Sequence, residues 1–357
     1  MERKNQKIRI KDIAKLANVS VGTVDRVLHN RGDVTEEKRE RVLNIIDELS
    51  YTPNLLARSL ASKKIIRIAV LIPEPYNSNN LYWEKPLEGI NQAIEELSDY
   101  NVDIQMYKFS TLDKDSFINQ SEKILNNKYD GIVFAPSFHK QATVFFERCK
   151  EEEIPVIFID SIIEGAEVIS YFGQNAVQSG YLAAKLMSYR VQKKSKVLIL
   201  SMANKKAITK HLKNREKGFL GFFNTVGKSD KIETLSVEID TSETKEPEKS
   251  LTKIFSDNPD IEGVFVTSAR VHQVATFIEE HNNSGPFLGG YDLVGNNMKY
   301  LKKGSIDFLI CQKPEDQGYK SIMAMFNYLL TKVPVNKINY SPIDIVLKEN
   351  VDFYMNI

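Results

Sequence analysis

Asp160, Ser268, Asp292 and Gln312 each stand at or just behind the end of a short β-rich run, and Asn80, Tyr82 and Trp83 follow the first such run. A carboxylate at a strand end can accept hydrogen bonds from two ligand hydroxyls, and equally it can cap the next helix. Aromatic faces beside polar side chains suit a sugar ring, which presents C–H faces and a rim of hydroxyls. A stack of that kind is worth roughly 1 kcal/mol beyond burial. Trp83 is the chain's only tryptophan, and its other reading is an anchor for the following helix. Arg215, in Asn214-Arg215-Glu216-Lys217-Gly218-Phe219, is either a ligand-binding guanidinium or half of a surface ion pair. Together these residues point to recognition of a polyhydroxylated small molecule. Catalysis has no matching pattern. The histidines His29, His139, His211, His272 and His281 form no His-x-x-x-His pair and no Cys/His cluster. There is no Gly-x-Ser-x-Gly elbow and no Gly-Lys-Ser/Thr phosphate loop. No catalytic residue, metal or cofactor is therefore expected.

The candidates need elements to carry them. Strand-like runs are expected at Ile66–Pro73, Val102–Phe109, Gly131–Ser137, Pro155–Ser161, Lys196–Met202, Ile232–Ile239, Gly263–Thr267, Phe287–Asp292 and Ser305–Cys311. Amphipathic stretches such as Leu87–Leu97, Ser116–Asn127, Gln141–Lys150, Ala176–Tyr189 and Gln317–Leu330 lie between them. This alternation predicts α/β architecture with parallel sheets covered by helices on both faces. Such sheets bind ligands beyond the carboxyl ends of their strands. Two sheets joined at a hinge make a cleft. One subdomain is expected at about 65–170 with 311–333, the other at about 171–310 with 334–357.

The first sixty residues follow a different pattern. Ile10, Ile13, Ala14 and Ala17 form an i, i+3, i+4, i+7 stripe. Asn18 suits a left-handed turn position, and Ser20 suits a helix N-cap. A second helix then buries Val24, Val27 and Leu28 and leaves Val21, Gly22, Asp25, Arg26 and His29 outside. A third runs from about Thr35 to Ser50, capped by Thr35, with Val42, Ile45, Ile46 and Leu49 inward. Two short helices around a tight turn make an all-α helix-turn-helix, which lays its second helix in a DNA major groove. The plainer alternative is a small helical bundle. A short helix beginning near Asn54 is too brief to stand alone in water, but it can fold on docking to DNA and a partner copy.

Ile13-Ala14, Val19-Ser20, Thr23-Val24, Arg26-Val27, Tyr51-Thr52-Pro53-Asn54 and Ala57-Arg58-Ser59-Leu60-Ala61 resemble the DNA-binding domain and hinge of the LacI/GalR family of bacterial transcription regulators. The resemblance covers residues 9–62. It implies a helix-turn-helix domain at 1–52, a hinge helix and linker at 53–64, and an effector-binding and dimerisation domain at 65–357. It further implies a homodimer on a pseudo-palindromic double-stranded operator. Val21, Gly22 and Arg26 would face base edges, with Arg26 the main hydrogen-bonding reader. Ser20, Thr23 and Asn54 would hold phosphates. Leu60, with Ala57 near it, would wedge into the minor groove. The remainder resembles the family's periplasmic-binding-protein-like domain, related to ribose-type binding proteins. Asn80, Tyr82 and Trp83 fit its first loop, Gly290-Tyr291-Asp292 its Gly-aromatic-Asp ligand motif, Arg215 with Gly218-Phe219 its Arg-x-x-Gly-Phe motif. Gln312 with Pro314 and Gly318 fits its last crossover. Three pairs depart from the usual pattern: Val21-Gly22 carries no long polar side chain, Gln174-Asn175 replaces Asp-Asn, and Ser268-Ala269 replaces Asn-Asp. The implied function is a ligand-responsive regulator, a repressor, with a sugar or related metabolite as effector.

Charge agrees with that division. The chain carries a formal net charge of +1. Residues 1–64 hold 14 Lys and Arg against 9 Asp and Glu, and the rest holds 34 against 38. A basic head on an acidic body suits a polyanion-binding head, although a solvated basic terminus has the same composition. No apolar run is long enough for a membrane span, and no signal-peptide core follows Met1–Arg9. Cys149 and Cys311 are too few and too distant for a disulfide framework. The chain is expected to be cytoplasmic. Two rival readings, a secreted sugar-binding protein and a sugar-modifying enzyme, lack a leader and an acid/base pair respectively.

Overall fold

The computed structural model describes residues 8–28, 32, 34–49, 59, 64–75, 81–191, 195–203, 210–225, 232–241, 246–281 and 285–354. In the head, α1 (Ile10–Leu16), α2 (Val21–Leu28) and α3 (Glu36–Glu48) close around Ile13, Ala14, Ala17, Val24, Val27 and Val42. Asn18 takes the left-handed turn at φ 52°, a conformation that Asn tolerates better than most residues. The Asp12 carboxylate accepts from the backbone N–H of Arg9 at 2.9 Å, which ties the start of α1. Thr35 occupies the N-cap position of α3, but its hydroxyl makes no capping bond.

The body consists of twelve strands in two sheets among the described residues. They are β1 (Ile66–Pro73), β2 (Val102–Phe109), β3 (Gly131–Phe134), β4 (Val156–Ile159), β5 (Ser170–Gly173), β6 (Lys196–Ala203), β7 (Glu233–Asp240), β8 (Ile261–Val266), β9 (Phe287–Tyr291), β10 (Phe308–Cys311), β11 (Ile338–Tyr340) and β12 (Asp344–Val346). The first sheet runs β11-β5-β4-β3-β1-β2, the second β12-β10-β9-β8-β6-β7. All neighbours are parallel except β10 and β12, which pair antiparallel. Helices α4 (Glu84–Glu96), α5 (Lys114–Leu125), α6 (His139–Glu151), α7 (Ala176–Arg190), α8 (Lys210–Thr225), α9 (Glu246–Asp257), α10 (Val271–Glu280), α11 (Asn296–Lys303), α12 (Pro314–Thr331) and α13 (Val351–Tyr354) surround them.

Central strands here are apolar throughout because both faces are covered. In β1 only Arg67 reaches solvent. Ile66, Ile68, Val70 and Ile72 pack on one face with Ile90, Ile322, Met325 and Phe326 from α4 and α12. Ala69 and Leu71 pack on the other with Phe117, Phe134, Phe145 and Phe158. The second sheet repeats this: Leu198 and Leu200 face α9 and α10, while Val197 and Ile199 face α7 and α8 through Phe219, Phe222 and Phe223.

Two boundaries differ from the sequence expectation. Both β5 and β11 belong to the first sheet, so residues 171–173 and 338–340 lie in the first subdomain and not the second. The chain passes between sheets near Gln174, Gln312 and Pro342. Gln174 stitches these passages together: its Nε2 donates to Cys311 O and to Pro342 O, each at 3.0 Å. Strands of three or four residues, paired with partners far along the chain, carry too little local pattern to be seen beforehand.

Candidate functional site

The cleft lies beyond the carboxyl ends of both sheets. Asp160 follows β4 and Asp292 follows β9, and both hold left-handed backbone, at φ 67° and 64°. This turn aims each carboxylate off its strand into the space between the sheets. On the first-subdomain side, Tyr82 OH donates to Asp160 Oδ1 at 2.8 Å, and Tyr171 OH donates to Asp160 O at 3.0 Å. On the second side, Gln312 Nε2 donates to Asp292 Oδ1 and Oδ2, both at 3.1 Å. Arg215, on α8, is 3% exposed. Its Nη1 donates to Thr267 O at 2.8 Å, and its Cζ lies 3.6 Å from the centre of the Tyr291 ring. Its Nε is buried without a hydrogen-bond partner among the described residues.

His211 was not foreseen. It sits one helical turn before Arg215, on the same face of α8, with Nδ1 3.8 Å from Asp160 Oδ2. That spacing of four was the available signal. Lys210 beside it forms an ion pair with Glu164 across the cleft. Asn297 was also missed. Its Nδ2 donates to Ala269 O, Tyr291 O and Asp292 O at 2.9–3.0 Å, which pins the loop carrying Asp292 to the loop carrying Ser268. Nothing in its sequence context marks that role.

The other expected residues fall as follows. Ser268 is half-buried, and its hydroxyl donates to Met202 O at 2.8 Å, joining the ends of β6 and β8. Trp83 is 6% exposed and packs within the first-subdomain core, edge-on to Tyr82 at 5.4 Å. It is the anchor of α4 and not an open stacking platform, because it is buried in the core of the first subdomain. Asn175 caps α7 by accepting from Gln178 N at 3.0 Å. Asn80 lies outside the described residues.

Burial sets the electrostatics. It raises the Asp292 carboxyl to about 6, opposed by Arg215 and by the Gln312 bonds. Burial lowers His211 to about 4, with Asp160 pulling the other way. Burial and then Asp160 raise Tyr82 well above the usual phenol range. The resting cleft therefore holds a neutral imidazole, a neutral phenol and a guanidinium. Because folded Asp292 holds its proton to higher pH than the unfolded chain, its own contribution to stability falls as pH rises from about 4 to about 6, while that of His211, whose folded pKa is lowered, rises over the same range. We expect Asp292→Asn to remove this loss. In urea melts from pH 4 to 7.5 the variant should gain on the wild type by up to about 3 kcal/mol. A difference that stays constant with pH would contradict the assignment.

The head presents a second surface. Ser20 caps α2: Thr23 N donates to Ser20 Oγ at 3.1 Å, and the two hydroxyls lie 2.9 Å apart. Val21, Gly22 and Arg26 are exposed on the outer face, and Thr23 is half-exposed. Asn54, Ala57 and Leu60 lie outside the described residues. Between head and body, Ser59 is buried at the base of the first sheet. Asn101 N donates to Ser59 Oγ at 2.9 Å, and Asn101 Nδ2 to Ser59 O at 3.2 Å. Lys64 pairs with Asp130 at 2.6 Å. These contacts lie at the opposite end of the strands from the cleft; the eight residues of β1 span roughly 26 Å. Among the described residues no helix is long and apolar enough to cross a membrane, and no group of three His, Cys, Asp or Glu could hold a metal.

Two parallel-sheet subdomains around a polar cleft, carried behind a helix-turn-helix, define a binding-protein fold joined to a helix-turn-helix head. Residues 68–332 match the model of the periplasmic binding protein domain, and residues 9–54 match that of bacterial regulatory proteins, lacI family. The crystal structure of a putative LacI transcriptional regulator from Bacteroides fragilis superposes with a TM-score of 0.74 at 30% identity, covering 82% of this chain and 100% of that one. The chain belongs to the LacI family. The glucose-galactose binding protein GanP of Geobacillus stearothermophilus shares the body's fold, with a TM-score of 0.70 at 23% identity over 81% of this chain and 99% of that one. The transcriptional regulator DegA of Bacillus subtilis is 32% identical over 183 residues, 50% of this chain and 51% of that protein. The chain spans about half the length of the curated relatives it matches at this level.

Proposed function

We propose that this chain is a homodimeric, ligand-responsive transcription regulator, a repressor, that reads a pseudo-palindromic operator in the cytoplasm and answers to a sugar or closely related metabolite. It carries out no catalysis. The observation that carries the effector half is Arg215: a buried guanidinium with a free Nε, set beside two carboxylates aimed into the cleft. Buried donors in native proteins are nearly always satisfied, so a ligand oxygen is the natural partner. Asp160 and Asp292 supply acceptors for ring hydroxyls. The DNA half rests on the capped α2 with its exposed face.

Ligand closes the cleft, and closure moves the first subdomain against the second. Asn101 and Asp130 transmit that movement to the segment around Ser59. The two heads of a dimer then gain or lose a common register on their half-sites. The ligand controls DNA only by as much as its affinity differs between the two states.

The test is a fluorescence-anisotropy titration of a duplex selected from a random pool, with and without a sugar that raises the protein's melting temperature. Operator affinity that does not change at saturating sugar would end the proposal. On the same duplex, Arg26→Ala should weaken specific binding by about 1–3 kcal/mol and random-sequence binding far less. Equal losses on both would remove Arg26 from base reading.

A further inference from the structure

A cavity of about 150 Å³ opens beside Asp160 and His211, and its lining includes neither Arg215 nor Asp292. We propose that it is an annex of the effector cleft and holds the second unit of a two-unit effector, a neutral disaccharide-type glycoside. This rests on the sugar-effector reading above and narrows it.

The cavity is too small to be a separate site, since whole ligand pockets run to roughly 300–1,000 Å³. It is contiguous with the cleft, because Asp160 and His211 line both. A ligand bound by Asp292 and Arg215 can therefore continue past Asp160 into it, and Asp160 can accept from hydroxyls of both units.

Its walls fit a sugar ring. Ile338 and Tyr340 stand two apart on β11, so they face the same side of the strand. They are 51% and 56% exposed, and both line the cavity. Large apolar side chains left open at a cleft wall suit the C–H face of a ring. Gln174, just past Gly173, which pairs with Tyr340, is 5% exposed and lines the same space. Its Nε2 is committed to Cys311 O and Pro342 O, yet its Oε1 accepts no hydrogen bond among the described residues. A buried amide oxygen left so is costly unless a hydroxyl reaches it. Asn214 adds an amide from α8. Lys210, the cavity's one lysine, is already paired with Glu164, and the Asp160 carboxylate lines the same space, so the lining disfavours an anion. The guest is therefore uncharged, not a phosphate or a uronate.

The full-length protein would be titrated by calorimetry with D-glucose, D-galactose and D-xylose, and with maltose, cellobiose, lactose and xylobiose. At least one disaccharide should bind about tenfold or more tightly than its own units. Tyr340→Ala removes the open ring, and Ile338→Trp fills the annex. Each should reduce that advantage to about twofold or less and leave monosaccharide affinity unchanged. Both positions are exposed, and melting curves verify that the fold persists. If units and disaccharides bind equally, or if neither substitution alters the ratio, the annex assignment is wrong while the sugar reading stands. If none of the seven sugars binds, the sugar reading fails and the annex fails with it.

Discussion

Arg215→Met is expected to lose at least about 100-fold in affinity for the effector sugar while the free protein melts at or slightly above the wild-type temperature. The two halves of this result have one cause. The guanidinium is 3% exposed, and among the described residues no carboxylate lies within ion-pair distance of it. The protein holds it instead with one carbonyl, Thr267 O, and the face of Tyr291. A desolvated cation–π contact contributes about 2 kcal/mol, and Asp292 attracts the guanidinium without ion-pair contact, against the several kcal/mol needed to bring an ion out of water. The free protein thus carries strain that a ligand oxygen at Nε relieves. Methionine fills the space, lies along Tyr291 and needs no counter-ion. It stabilises the empty cleft and gives the sugar nothing to bond. Calorimetry and thermal melts of both proteins separate the halves. Retention of sugar affinity within about threefold would make Arg215 structural. A loss of apo stability above about 2 kcal/mol would show that its present partners suffice.

What could be read beforehand follows from how local each signal is. β1, β2, β6 and β7 run to eight residues each, bounded by turns, and all were visible as β-rich runs. β5, β11 and β12 run to three or four, and their partners lie up to about 170 residues away, so their membership becomes clear only when the sheets form. Asp160, Asp292 and Arg215 were legible because a strand end or a short motif frames each. His211 stands one helical turn before Arg215, but no helix was expected there, and one histidine says nothing until Asp160 comes opposite. Trp83 had two readings because its neighbours in sequence are both polar and aromatic. Its burial in the core of the first subdomain decides between them. Gln174 and Asn297 work through carbonyls on distant loops, and carbonyls leave no mark in a sequence.

The same argument about distant backbone gives the second large effect. Gly180 of α7 and Gly218 of α8 let the two helices touch backbone to backbone. A Cβ on Gly180 would fall 1.8 Å from Arg215 O, and one on Gly218 would fall 1.8 Å from Val177 O. The first subdomain uses the same device, with Gly89 against Glu315 O at 1.9 Å and Gly318 against Pro86 O at 2.2 Å. A backbone oxygen cannot rotate aside as a side chain can, so α8 must move bodily. We expect Gly180→Ala to cost about 2–3 kcal/mol, or roughly 5–10 °C in melting temperature. Gly221, three residues after Gly218 on α8, has nothing within 4 Å of its built Cβ. Gly221→Ala should therefore stabilise the helix by about 0.5–1 kcal/mol through its backbone preference alone. The pair also separates stability from function. The Gly180 clash is with the carbonyl of Arg215 itself, so the helix shift carries the guanidinium away from Thr267 and Tyr291 and effector affinity drops with the melting temperature. Gly221→Ala leaves Arg215 in place and the affinity intact. If the two variants melt alike, the helices are not in backbone contact, and the close crossing cannot be what seats Arg215 in the cleft.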